Sequence, residues 1–444
     1  MLISIVARLV SVVLLSGPGT PTSPPSHAPV MVFTNVTVVP MDSDRILEGY
    51  TVVVEGERIV AMGPNGDIGL PKESLVIDGT GKFLMPGLAE MHGHIPPPSD
   101  AATEIENVLF LYVANGITTV RGMLGYPGQL DLRAQALAGQ IVSPTLYLAG
   151  PSFNGGSVTS PAQASARVRS QKDEGWDLLK IHPGVTRAEY DALAKTANEV
   201  GIAFGGHVPA EVGIEHAIEM GQLTFDHLDG YGAFLDGSSG PVDRSKLHSI
   251  VKKTVDAGAW VVPTMVLWET ILGVGELSEM MRWPELKYVS ARTVSSWERA
   301  FQGRTSGGVN LNASYNLADA RMEILAALND AGANILMGTD APQQFSVPGF
   351  SLHREMEKMV DAGMSTYDVL KSGTKNVGVY FDDKDTFGTI AVGQRADLLL
   401  LDANPLESVR NVSRRSGVMV RGSWISENDI QNRLGQIASS YQRP

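Results

Sequence analysis

The chain has no cysteine among its 444 residues. That excludes disulfides, a thiolate nucleophile and a cysteine-bound zinc, so any metal must sit on nitrogen and oxygen ligands. Clusters of lysine and arginine are missing too, and the formal net charge is -13. Nucleic-acid and anionic-membrane binding, which rest on grouped cations facing phosphates, are therefore not expected. No internal repeat occurs, and no low-complexity tract beyond the N-terminus. The apolar run at residues 9–15, behind Arg8, is too short for a stable membrane span. With the Pro-, Ser- and Thr-rich stretch that follows, residues 1–29 read as a secretory leader and tether, which would send the protein to the periplasm or exterior. A mis-chosen start codon is the alternative and would leave it cytoplasmic. The remainder, 43% hydrophobic and 19% charged overall, has globular composition.

What is present begins with His92-Gly93-His94, at the end of the apolar run from Phe83. In an extended strand, residues i and i+2 share a face, so both imidazoles can reach one cation. Four later apolar runs also end in a metal-binding or proton-carrying residue: 176–182 with Lys180 and His182, 203–208 with His207, 223–228 with His227, and 335–340 with Asp340. Stretches of helical periodicity, such as 187–200 and 311–331, separate them. Alternating strands and helices imply a parallel sheet, and polar residues at the C-terminal ends of several strands are where a (β/α)8 barrel carries its chemistry. Candidate strands two, three and seven lie at 117–123, 145–149 and 260–266. Each residue also has a duller reading. Lys180 could pair with Asp177, Asp340 could cap a helix, and the histidines could be exposed or satisfied core residues. These would have to hold at five strand ends together.

The set His92, His94, Lys180, His207, His227 and Asp340, in this order, resembles the amidohydrolase superfamily of metal-dependent hydrolases. In that family an HxH pair closes strand one, a lysine strand four, single histidines strands five and six, and an aspartate strand eight. The segments Gly206-His207-Val208-Pro209 and 226–231 are most similar to its imidazolonepropionase-like and prolidase-like branch. The resemblance implies an α/β protein, a (β/α)8 TIM barrel with a small β-sandwich built from both chain ends. The expected division is leader and tether 1–29, sandwich 30–81, barrel 82–383, sandwich 384–430 and tail 431–444. It also implies two divalent ions, zinc being expected. His92, His94, Lys180 and Asp340 would hold the more buried ion, and Lys180, His207 and His227 the other.

An ammonium cannot ligate a cation, but neutral Lys180 can take up carbon dioxide as a carbamate whose oxygens bridge two ions about 3.5–4 Å apart. The expected reaction is cleavage of a carbon-nitrogen bond in a small amide or dipeptide by metal-activated hydroxide, with Asp340 as proton shuttle. A mononuclear deaminase of a cyclic amidine and a non-catalytic scaffold of the same fold are the alternatives. His182, Tyr126, Tyr231 and Gln343, on or after strands four, two, six and eight, are candidate substrate contacts. His216 and His353 read as surface or packing residues. The insertion at 267–310 is long enough to act as a lid. Homo-oligomerisation is compatible with this reading.

Overall fold

The parallel strands form where the sequence runs are apolar on both faces, as sheets covered by helices on their outer side require. The computed structural model describes residues 30–306 and 310–441, so the expected leader and Gly307 and Gly308 of the insertion lie outside the described residues. Leu88–Gly93, Ile117–Gly122 and Thr145–Leu148 make one parallel sheet. Leu178–Ile181, Ala203–Gly206, Thr224–Asp226, Trp260–Val262 and Asn334–Ile335 make a second. Backbone bonds cross both seams. Ala149 bridges Leu178 in parallel, and Met91 N donates to Met337 O at 2.8 Å. The first and last parallel strands are thus neighbours.

Helix placement follows local signals. Arg187–Val200 starts on a Thr186–Glu189 capping box and stops at Gly201, whose φ of 64° suits glycine. Its buried Tyr190, Leu193, Ala194 and Ala197 form one stripe. The expected helix 311–331 appears as Leu311–Asp330. Strand seven is shorter than expected, because a helix already begins at Met265. Buried Glu355 accepts from the free amides of Met265 and Val266, at 2.8 and 2.9 Å, and so fixes that helix start.

The chain ends meet in one mixed eight-stranded sheet, not in two separately hydrogen-bonded layers. Its two halves join where Phe83–Pro86 pairs antiparallel with Leu398–Leu401. Phe33, Val52, Leu84, Leu398 and Leu400 share a buried cluster there. Phe83–Pro86 therefore belongs to this sheet, and the parallel system begins at Leu88 rather than at 82. The expected tail from 431 is instead part of the helix Glu427–Tyr441, which buries Ile430, Leu434 and Ile437. That i, i+4, i+7 stripe is short and flanked by polar residues, which hides it in the sequence.

The insertion after strand seven is mostly helical and seated on the rest. Trp297 and Phe301 of the helix Ala291–Thr305 are buried, and Tyr288 stacks on Phe350 with centroids 5.2 Å apart. Among the described residues no helix is long and apolar enough to cross a membrane.

Candidate metal centre

Backbone bonding between the ends of the first and last parallel strands brings His92, His94 and Asp340 together. Asp340 N donates to His92 O and His94 N to Ala341 O, both at 2.7 Å. The carboxylate of Asp340 then lies against the imidazoles: Oδ1 contacts His94 Nε2 and is 3.6 Å from His92 Nε2, and Oδ2 is 3.7 Å from His227 Nε2. Asp340 has φ of 64° and His227 of 63°, left-handed values that non-glycine residues seldom adopt. Both turns are held from outside. Buried Glu90 accepts from Thr339 N at 2.7 Å and from His92 N at 3.0 Å, and burial pushes its carboxyl up to about 8. Arg321 Nη2 donates to His227 O, with the guanidinium 4.1 Å over the Trp268 ring.

Lys180 is fully buried, its Nζ 3.0 Å from His92 Nε2. Burial pushes its ammonium down to about 8, against the pull of Asp226 and Asp340. Space for the side chain comes from Gly206, where a Cβ would stand 2.9 Å from Lys180 Cδ and 2.7 Å from Ile181 O. Asp177 is not its partner, for it binds Arg133 at 2.6 Å and the Leu148 amide at 2.8 Å. Nor does Asp340 cap a helix, since its carboxylate faces the histidines.

The other two ligand candidates are oriented by bonds to Nδ1. His207 Nδ1 meets Asp229 Oδ2 at 2.6 Å, and His227 Nδ1 meets Thr264 Oγ1 at 2.8 Å. Such bonds fix a ring and leave Nε2 for a ligand. The His227 ring centroid is 4.4 Å from that of His92 and 4.6 Å from that of His207. His227 Nε2 is buried without a hydrogen-bond partner, which is costly unless something else satisfies it. His92, His227 and Asp340 each present one ligand atom within 4.8 Å of the others, all buried. Burial first, and then neighbouring positive groups, hold both imidazoles well below their usual range, so they are neutral; Nε2 of His227 has no partner, and that of His92 meets Lys180 Nζ. Two nitrogens and a carboxylate oxygen in a dry pocket fit a divalent cation. His227 thus joins His92 and Asp340 in the tightest set, although the expected division assigned it to the other ion, and His207 stands one ring further along.

Of the four candidate substrate contacts, Tyr126 and Gln343 line a cavity of about 430 Å³ together with His94. The His182 ring lies 5.1 Å from that of His207, and burial pushes it down to about 3. Tyr231 is different. It is buried with its hydroxyl 2.7 Å from Thr254 Oγ1 and its ring edge-on to Phe225. The turn at Gly230 carries it into the helical layer, so it is a packing residue and not a wall of the site.

Sequence reasoning missed a buried chain behind His92. Arg121 Nη2 grips both oxygens of Asp226, at 3.1 and 3.0 Å, and its Nε donates to Met91 O at 2.5 Å. Asp226 Oδ2 in turn lies 2.7 Å from His92 Nδ1. The available signal was a lone arginine inside the otherwise uncharged strand 117–122 and an aspartate directly before His227.

The model of the amidohydrolase family matches residues 83–425. Imidazolonepropionase of Arthrobacter sp. is 30% identical over 398 residues, covering 84% of this chain and 92% of that protein. Ochratoxinase of Aspergillus niger is 22% identical over 414 residues, covering 86% and 83%. Adenine deaminase of Rubrobacter xylanophilus is 29% identical over 213 residues, 45% of this chain, and the chain spans only 32% of that relative. Among solved structures, a bottromycin amidohydrolase superposes with a TM-score of 0.74 at 22% identity, covering 93% of this chain and 91% of that one.

Asp226→Asn should weaken zinc binding by about 10- to 100-fold while leaving the circular dichroism spectrum intact. Competition with a fluorescent chelator measures it, and unchanged affinity would show that Asp226 does not act on His92. A second outcome concerns pH. Burial raises Glu355 to about 7 from 4.5. Below 4.5 both folded and unfolded states keep the proton and the stabilisation is complete. As pH rises towards 7 only the unfolded state ionises, so it is lost. Wild type should therefore lose about 3 kcal/mol relative to Glu355→Gln between pH 4.5 and 7.5 in urea unfolding, whereas parallel curves would contradict this.

Proposed function

The chain belongs to the amidohydrolase family, and from that premise we propose that it is a metal-dependent hydrolase cleaving the carbon-nitrogen bond of a small amide or dipeptide, its eight parallel strands forming a (β/α)8 barrel. The observation that carries this reading is the convergence of buried His92, His227 and Asp340 within 4.8 Å, with Lys180 and His94 directly against them. In this reading His92, His94, Lys180 and Asp340 would hold one ion and Lys180, His207 and His227 a second, with His227 near enough to His92 and Asp340 to face the first as well, zinc being the expected metal. When bound, such cations make water a stronger nucleophile at neutral pH and polarise a carbonyl.

The remaining work falls to side chains. Asp340, its oxygens facing His94 on one side and His227 on the other, takes a proton from the attacking water and returns it to the departing nitrogen. Lys180 contributes as a carbamate. The lone pair of its neutral amine forms a bond to the carbon of carbon dioxide, one C=O electron pair moves to oxygen, and one proton leaves the nitrogen. The result is an anionic group where a buried ammonium would repel cations. His92 and His227 stay neutral in their dry pocket and keep lone pairs for ligation. The leader reading of residues 1–29 puts this activity outside the cytoplasm.

A mononuclear deaminase would share most of these residues, as the similarity to adenine deaminases invites. The position of Lys180, buried against His92 among ligand candidates, favours the two-ion hydrolase.

Lys180→Ala is expected to lower bound metal from two equivalents to one or fewer, with activity falling in parallel. Elemental analysis of the purified protein decides it, and two equivalents retained would refute the bridge. Asp340→Asn should keep most of the metal while cutting kcat by about 10²- to 10⁴-fold on an amide panel. Near-normal turnover would remove Asp340 as proton carrier.

A further inference from the structure

The cavity of about 430 Å³ that opens beside His94 is within the usual size for a small-molecule site, about 300–1,000 Å³. Its walls come from four sources. The loops after the first, second and last parallel strands give Ile95, Leu124 and Gln343, the helix Ala102–Ala114 gives Val108 and Leu111, the insertion gives Tyr288 and Trp297, and the helix Glu427–Tyr441 gives Tyr441. Four aromatic residues, Tyr126, Tyr288, Trp297 and Tyr441, are among those that line the space.

Charge on the walls is one-sided. Asp100 and Glu104 line the cavity, both exposed at its rim, and no lysine or arginine does so among the described residues. Two helix starts border the space and would favour an anion. Both are already answered: Glu104 lies in the first turn of Ala102–Ala114, and Ser290 Oγ accepts from Thr293 N at 3.1 Å at the start of Ala291–Thr305. A carboxylate at the outer end of the cavity, away from the ions proposed beside His94, would leave water and meet Asp100 and Glu104 with no lysine or arginine among the described lining residues.

We infer that this cavity takes an aromatic ring without negative charge, attached to the scissile amide, and that it selects against substrates presenting a carboxylate at that position. The inference rests on the hydrolase reading above and narrows it. A dipeptide whose free carboxylate points into the cavity is a poor substrate, and a neutral aryl or arylalkyl amide is a good one. A distal amine on the ring is tolerated, because Asp100 and Glu104 face it.

The test uses the full-length, zinc-replete protein and two series of amides, one varied on the acyl side and one on the amine side. Each series compares phenyl, 4-aminomethylphenyl, 4-carboxyphenyl and methyl at the end of the same short linker. In one of the two series, kcat/KM for phenyl and aminomethylphenyl should exceed that for carboxyphenyl and for methyl by at least 10-fold. Glu104→Lys, a change at an exposed rim position, should narrow the phenyl-to-carboxyphenyl ratio by 10-fold or more. Equal rates, a carboxylate preference in both series, or a ratio unmoved by Glu104→Lys overturns the inference. If no amide is hydrolysed, calorimetric binding of the matching ketone isosteres separates the two claims. Tighter binding of the neutral aryl ketone keeps the cavity assignment while the hydrolase reading falls, and no preference ends the cavity assignment as well.

Discussion

Arg121 and Asp226 form an ion pair with no exposure to water, and the geometry of the centre depends on it. Removing two charges from water is expensive unless each finds a full set of partners. Here the guanidinium reaches Met91 O, Thr224 Oγ1 and Tyr380 as well as Asp226, so three parallel strands and the helix Lys375–Tyr380 are tied at one point. The Asp226 carboxylate stands 2.7 Å from His92 Nδ1, outside hydrogen-bond geometry, and so limits where that ring can sit. Thr264, Asp229 and Glu90 do comparable work for His227, His207 and Thr339. Ligand candidates from distant parts of the chain are therefore held before any cation arrives, which keeps the reorganisation on binding small.

The same dryness sets the protonation of the centre. Buried imidazoles stay neutral, and the Lys180 ammonium gives up its proton far more readily than an exposed one. Electrostatics and packing thus favour one state, with neutral imidazoles at His92 and His227 and with the Nε2 atoms of His92, His94 and His227 facing the carboxylate of Asp340. The cavity beside His94 is walled by residues past the strand ends, from the loops there and from the insertion.

How much of this was legible in the sequence depended on the range of the signal. Strand ends bearing His92, Lys180, His207, His227 and Asp340 could be found because a buried strand must be apolar and any exception stands out. The helix Arg187–Val200 was placed to the residue, since its cap, stripe and glycine stop are all local. Tyr231 was misplaced because position after a strand does not say which way a following turn at Gly230 sends the side chain. The supporting residues Thr264 and Glu355 were invisible for another reason. Each acts through a contact more than 30 residues away, and nothing local marks a polar residue as the partner of a particular histidine or helix end. The C-terminal helix escaped because three apolar residues in a polar stretch make a weak stripe until a surface exists to receive them.

The pairing of Phe83–Pro86 with Leu398–Leu401 has a consequence for biosynthesis. Strands from the first 86 residues leave the ribosome with an open edge whose partner has not yet been made. At about 5–20 residues per second, the intervening chain takes on the order of tens of seconds to emerge. Throughout that interval the edge and its apolar face are open to other nascent chains, so the synthesis of Leu398–Leu401, rather than of any earlier strand, closes this period of exposure to stray association.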